Sequence, residues 1–384
     1  MPGGNYIAAR TRECGFHSAR TLGGQTLNLI IDPLNISSEW LTEILRDAGA
    51  LNSGAVRRID AQPSRSTPVS TVTRLTVDYG TSAPESAPTR LFLKTPKPDL
   101  PSFVSIQLGD REVRFYRDLA PAMLGSPLVR CYSAVFEAES GGWHVLLDDL
   151  TESHMTFKSP DPPTLAICKR AVESMAAVHA YWWEKDPPSS NPGDREQPDE
   201  PPAEQWEEQC RQLLDAFGSF LGDRLSEHRR ATYLSVIEEL PALRRWRNGK
   251  RPTTVVHGDA HLGNFLFPRA SETGPVYPCD WQDWWIGEPT RDVAYLVGKY
   301  WDARLRADSE VTLVRHYHQR LESGGVKNYS WDDCWDDYRY SIVSQIFIPL
   351  GQWEIGLDED IWWIHFNSGL DAFDDLRCAE LFGR

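Results

Sequence analysis

This chain of 384 residues has little of what marks several common protein classes. It has no C-x-x-C pair. Its seven cysteines (Cys14, Cys131, Cys168, Cys210, Cys279, Cys334 and Cys378) are odd in number and widely spaced. That argues against a disulfide scaffold or a zinc site and for free thiols in a reducing compartment. No apolar run approaches the length of a membrane span. The opening "MPGGNYIAARTRECGF" lacks the apolar core of a secretory signal. A basic excess is missing too. The net charge is -15, so neither nucleic acid nor an anionic membrane surface is expected as a partner. The expectation is a soluble cytoplasmic protein.

What is present suits a sizeable core. Hydrophobic residues make up 41%, with 15 Trp, and the length fits two lobes. Residues 1–26 are polar and Gly-rich, an expected N-terminal arm. "SSEWLTEILRDAGA" reads as an amphipathic helix capped by Ser38 and ended by Gly49. "AVRRID", "STVTRLTVDY" and "TRLFLK" read as strands, the first weakly. "DREVRFYRDLAPAM" reads as a helix. "PLVRCYSAVFE" and "WHVLLDDL" read as two further strands around Gly141 and Gly142. Residues 27–147 are thus expected to form a small, mainly antiparallel β lobe with one inserted helix. Beyond Asp148 the pattern turns helical, beginning with "TLAICKRAVESMAAVHAYWW" after Pro162, Pro163 and Thr164. Residues 148–384 are the expected larger lobe. The Pro- and acid-rich stretch 186–202 reads as a mobile surface insertion.

The stretch "VVHGDAHLGNFLF" concentrates polar groups directly after two β-branched residues. Asp259 and Asn264 stand five apart, and a second acid, Asp280, follows an apolar strand in "PCDWQDWW". Phosphoryl transfer needs such a set. A carboxylate orients a hydroxyl and accepts its proton, while a side-chain oxygen and a second carboxylate hold magnesium on the phosphates. The spacing is that of kinase catalytic loops. Two further parts are required, a strand lysine and a helix acid to hold it. Lys94 in "LFLK" and Glu112 in "DREVRFY" stand where they should.

These motifs resemble the aminoglycoside phosphotransferase and choline kinase superfamily, with a protein-kinase-like α+β two-lobe fold, and most of all its ecdysteroid-kinase-like branch. "HGDAHLGN" matches H-G-D-x-H-x-x-N, "CDWQ" the following D-W, and "EPTRDVA" the segment whose acid braces the catalytic loop. "VLLDDL" resembles the connector between lobes, and "AAVHAYWW" the helix after it. The resemblance spans about residues 27 to 380. It implies an ATP- and Mg2+-dependent kinase of a small molecule bearing a hydroxyl. Asp259 would be the base, and Asn264 and Asp280 the metal ligands. Lys94 would meet the nucleotide phosphates, held by Glu112. His257 would support the loop, Asp292 would brace it, and His261 would stand near the γ-phosphate or serve the loop structurally. Backbone groups of Leu147, Asp148, Asp149 and Leu150 would meet the adenine. His179 reads as a core histidine, and Trp284 and Trp285 as core rather than ligand box.

The chain departs from kinases where a glycine-rich loop usually covers the phosphates. The matching stretch, "QPSRSTPVST" at 62–71, has no glycine, and Ser64, Ser66 and Thr67, with Arg65, are the expected substitutes. Protein substrates are not expected. Asp280 and Asp292 are twelve apart, and no A-P-E follows, so an activation segment has little room. The contrasting class is a nucleotide-binding pseudokinase, although the base, the metal ligands and the lysine are all present. For the acceptor two readings stand. Acids and tryptophans interleave in "WDDCWDDY", "QWEIGLDEDIWWIHF" and "DAFDDL", which suits an amino-bearing alcohol through cation–π and charge attraction. If those tryptophans are core and those acids solvated, a neutral steroid- or terpenoid-like alcohol fits instead.

Overall fold

The computed structural model describes residues 29–30, 32–66, 70–98, 109–123, 125–157, 163–188, 192–195, 205–248, 251–269 and 274–383. A five-stranded antiparallel sheet in the order β1-β2-β3-β5-β4 occupies the N-terminal part, and helices dominate the rest. The sheet strands are β1 (Val56–Ser66), β2 (Ser70–Tyr79), β3 (Arg90–Pro96), β4 (Cys131–Glu137) and β5 (Gly142–Asp148). Helix α1 (Ser38–Asp47) covers one face. Leu41 and Leu45 pack there with Leu75, Leu91, Leu93 and Leu146. Its cap is Ser37 rather than Ser38, for Ser37 is the residue with extended backbone and its side chain accepts the Trp40 N–H.

The two-residue period of strands sorts the other face. On β3, Leu91 and Leu93 point to α1, so Phe92 and Lys94 point away from it. On β5, Val145 and Leu147 join Val113 and Tyr116 in the larger core. Those last two belong to helix α2, which runs over 109–114 and continues as a π turn at Phe115–Leu119. Lys94 therefore projects on the side of the sheet where α2 lies.

Strand β1 is longer than "AVRRID". It pairs with β2 from Val56↔Tyr79 to Ser66↔Thr71, so residues 62–66 of the expected covering loop are strand. Pro63 lies on the edge strand of the sheet and beside a register irregularity between Pro63 and Ser66, the two settings in which strands tolerate proline. Ser64 and Ser66 are strand residues, and Thr67 lies outside the described residues.

The helical part contains α3 (Leu165–Tyr181), α4 (Trp206–Leu221), α5 (Glu227–Asn248), α6 (Arg291–Tyr300), α7 (Ala303–Ser323), α8 (Trp331–Gln345), α9 (Ile348–Glu354) and α10 (Glu359–Asp375). Thr164 caps α3 as its sequence suggests. Short strands carry the polar motif. β7 (Thr254–Val256) pairs with β10 (Trp285–Gly287), and β8 (Phe265–Pro268) pairs with β6 (His154–Thr156) and β9 (Tyr277–Pro278). Cys131, Cys168, Cys210, Cys279, Cys334 and Cys378 are free thiols. Among the described residues no helix is long and apolar enough to cross a membrane.

Candidate active site

Strand β7 is wholly buried and delivers the chain into His257, which is buried as well. His257 Nδ1 accepts the Asp259 N–H at 3.3 Å, so Nε2 carries the proton and donates to the Cys279 carbonyl at 2.9 Å. One ring thereby ties the His257 turn to the residue before Asp280. Gly258 has φ +85, and a Cβ there would lie 2.2 Å from the Asp283 carbonyl oxygen. Both the left-handed backbone and the close approach require glycine.

Asp292, in the first turn of α6, fixes the same turn from the other side. Its Oδ2 accepts the His257 N–H at 2.7 Å and its Oδ1 the Gly258 N–H at 3.1 Å. Burial alone would raise this carboxyl, but the contact with His179 at 3.1 Å and the His257 amide hold it below its ordinary range. His179, buried on α3 as expected, reaches Tyr317 Oη through its other nitrogen at 2.6 Å.

Asp259 is thereby presented on a braced turn with its side chain about a third exposed. Asn264 Nδ2 donates to the Asp259 carbonyl at 2.9 Å and to its Oδ2 at 3.0 Å. His261 divides its ring: Nδ1 accepts the Gly263 N–H at 3.0 Å, and Nε2 lies 3.4 Å from Asp259 Oδ2. The β8–β9 pairing, extended by Cys279 N–H donating to Asn264 O at 2.9 Å, brings Asp280 alongside Asn264. Asp280 has φ 68 and ψ 61. A non-glycine residue held there stores strain of the kind found at functional sites.

Lys94 bridges to this acid from the sheet. Its Nζ lies 2.5 Å from Asp280 Oδ1 and 2.7 Å from Glu112 Oε2, with Lys94 and Glu112 both buried. Burial pulls the ammonium down, but Asp280 and Glu112 outweigh it and hold Lys94 above its ordinary value. Burial pushes the Glu112 carboxyl up to about 7, against the pull of Lys94. For Asp280, burial is outweighed by Lys94, which keeps its carboxyl low. Removing one partner from such a buried pair costs about 3–5 kcal/mol, since a charge is left uncompensated.

The expected connector follows β5, an interior strand of the sheet. The Asp148 N–H donates to Arg130 O at 3.0 Å, and the Asp149 N–H to Arg90 O at 3.3 Å. Leu150 O accepts from Ser153 and His154, and the Leu147 side chain is core. Asp148 also accepts a hydrogen bond from Tyr132. Trp284 and Trp285 are core, as expected.

Two features escaped the sequence reading. Tyr295, on α6 one turn after Asp292, is buried beside the Asp259 carboxylate, and burial with that charge drives its phenol well above its ordinary value. The i, i+3 spacing from Asp292 in "RDVAY" was the available signal. Helix α2 is also docked directly on the Asp280 segment, with Phe115 stacked on Trp281 at 3.9 Å between ring centroids and 6° between planes.

Magnesium favours few protein oxygens and keeps several waters. Among the described residues no cluster of three His, Cys, Asp or Glu forms a closed metal cage. A neighbouring amide oxygen and carboxylate, from Asn264 and Asp280, fit that preference.

No curated protein sequence matches this chain. Several solved structures resemble it. A candidate aminoglycoside phosphotransferase from Ralstonia eutropha JMP134 aligns over 91% of this chain and 99% of its own, at 16% identity and TM-score 0.54. Choline kinase from Streptococcus pneumoniae aligns over 88% and 99%, at 15% identity and TM-score 0.45. Ethanolamine kinase from Plasmodium vivax aligns over 83% and 82%, at 10% identity and TM-score 0.46. The first of these supports the kinase-like two-lobe fold. The model of the phosphotransferase enzyme family matches residues 76–328, from β2 through α7, and so takes in Lys94, Glu112, Asp259, Asn264 and Asp280. The chain belongs to the phosphotransferase enzyme family.

Proposed function

We propose that this protein is an ATP-dependent kinase of a small molecule, transferring the γ-phosphoryl group to a hydroxyl. The observation that carries this is the meeting of Lys94 with Glu112 and Asp280, three residues from separate segments, beside Asn264 and Asp259. Asp259 orients the acceptor hydroxyl and takes its proton. Lys94 neutralises the nucleotide phosphates, aimed by Glu112. Asn264 and Asp280 hold magnesium, which when bound offsets charge on the transferred group. His257 and Asp292 keep the turn rigid, and the Nε2 side of His261 faces the base. Adenine is read by backbone groups of the Leu147–Leu150 connector that are not spent on Arg90, Arg130, Ser153 and His154. Residues 27–147 and 148–384 are the two lobes that close on the nucleotide; the expected arm, 1–26, lies outside the described residues. The pseudokinase alternative is disfavoured because base, metal ligands and lysine are in place together. A soluble, cytoplasmic setting goes with this reading.

For the acceptor, the neutral alcohol is the reading we carry forward, on two supports. Two of the tryptophan faces that would attract a cation already have occupants: Arg315 sits 3.9 Å over the Trp331 ring and Arg224 5.2 Å from the Trp363 ring. Several acids of the C-terminal helices are paired, Glu359 with Arg224 at 2.6 Å, Asp375 with Arg306 at 2.8 Å, and Asp333 with Arg251. Next to Tyr295 is a small hollow of about 30 Å³, lined by apolar Ala294, Ile342, Ile348 and Pro349 and also by Gln345 and His365. The neutral reading is in keeping with the ecdysteroid-kinase-like branch that the sequence resembles.

The test is transfer of labelled γ-phosphate from magnesium-ATP to a panel of sterol-like, terpenoid and amino alcohols, at low and high salt. The proposal expects neutral acceptors, with KM flat or falling as salt rises, because apolar burial is not screened. Transfer confined to amino alcohols, with KM rising in salt, would overturn the acceptor class. Nucleotide binding without transfer to any of them would favour the pseudokinase.

A further inference from the structure

Arg114 follows Glu112 by two residues on α2, and two residues turn a helix by about 200°. The two side chains thus leave opposite faces. Glu112 meets Lys94. Arg114, also buried, makes a two-pronged bond to Asp194: Nη1 donates to Oδ2 and Nη2 to Oδ1, both at 2.7 Å. Its Nε donates to Asp110 Oδ2 at 2.9 Å. Asp194 is buried in the short turn Pro192–Arg195, part of the Pro- and acid-rich stretch between α3 and α4. The composition of that stretch suggests a mobile surface insertion, but at this turn it is anchored in the protein.

The neighbouring contacts converge on the same place. Arg111 Nη2 donates to Gly193 O at 3.4 Å and Nη1 to Trp284 O at 2.7 Å, while Trp284 Nε1 donates back to Arg111 O at 2.7 Å. The Arg114 guanidinium lies 5.2 Å from the Trp284 ring. The inserted turn, the helix of Glu112 and the segment of Asp280 meet at one junction. A paired guanidinium and carboxylate permit one relative orientation. Fixing Arg114 therefore fixes the rotation of α2 about its axis, and with it the aim of Glu112 on the far side.

We propose that Arg114 and Asp194 are positioning residues, through which the turn at 192–195 sets the Lys94–Glu112 contact and hence nucleotide affinity. This rests on the reading of Lys94 as the nucleotide lysine. Calorimetric titration of magnesium-ADP into the full chain tests it, with thermal melting alongside. Asp194→Asn and Arg114→Gln are expected to weaken binding about three- to thirtyfold. The exchanged pair, Arg114→Asp with Asp194→Arg, recovers most of that loss. Lys94→Ala is the reference, and is expected to lose binding more severely. If Asp194→Asn fails to fold, Asp194→Glu, which keeps the charge but displaces it, is read in the same way. Unchanged affinity in the Arg114 and Asp194 variants, with or without a lowered melting temperature, while Lys94→Ala binds poorly, overturns the positioning role alone. Unchanged affinity in Lys94→Ala overturns the nucleotide reading and this proposal with it.

Discussion

Asn264 donates its side-chain N–H groups to Asp259 twice, to the backbone carbonyl at 2.9 Å and to the carboxylate at 3.0 Å. The amide nitrogen is spent on the base, which turns the amide oxygen to the other side as a ligand. Asn264→Ala and Asp280→Ala should therefore weaken magnesium-dependent nucleotide binding and turnover together. The loss should be at least the about 10- to 100-fold that follows removal of a residue merely supporting a metal ligand. Titration of nucleotide with and without magnesium checks this. Wild-type magnesium dependence in both variants would remove the metal assignment.

Tyr295 lines the small hollow and lies beside the base. Tyr295→Phe keeps the ring and its packing but deletes the hydroxyl beside Asp259, and with it any hydrogen bond to the carboxylate. A hydrogen bond to a charged group contributes about 1.5–3 kcal/mol, so turnover should fall by about tenfold or more. Nucleotide affinity should not change. Steady-state kinetics beside nucleotide titration separates the two, and equal turnover in the variant would contradict the role.

The pH dependence of stability has one clear contributor in the sheet. His144 is buried on β5, where Nδ1 accepts the Ile30 N–H at 3.3 Å and Nε2 donates to Ser133 Oγ at 2.9 Å. Burial lowers its pKa from 6.5 to about 4. Between those values the unfolded chain binds a proton that the folded chain refuses. The stabilisation is thus complete above pH 6.5 and is lost as pH falls toward 4, by about 3 kcal/mol. Urea unfolding at pH 7 and pH 4.5 should show a smaller difference for His144→Asn than for the unmodified chain. An identical difference would exclude His144 as the cause.

The parts of the site legible in the sequence are those written locally. "HGDAHLGN" carries its own turn, and its glycine has a backbone reason in Gly258. Lys94 was legible because strand alternation decides which face it takes, and Glu112 because it opens the next helix. What was not legible depends on distant partners. Arg114 and Asp194 are 80 residues apart, and nothing in a proline- and acid-rich stretch marks which acid will be buried. The pairing of acids with Arg224, Arg251 and Arg306 is equally remote, which is why the interleaved acids and tryptophans left two acceptor readings standing. The length of β1 was hidden because its second half is polar, as an edge strand can be.

The most direct measurement compares Asp259→Asn with the unmodified chain for phosphoryl transfer and for nucleotide binding, using an acceptor found in the panel. The substitution keeps the shape of the side chain and removes its ability to take a proton. General-base catalysis contributes about 10²- to 10⁴-fold, so transfer should fall by that much while magnesium-nucleotide affinity stays within about twofold. Transfer near the unmodified rate in the purified, folded variant would contradict the account.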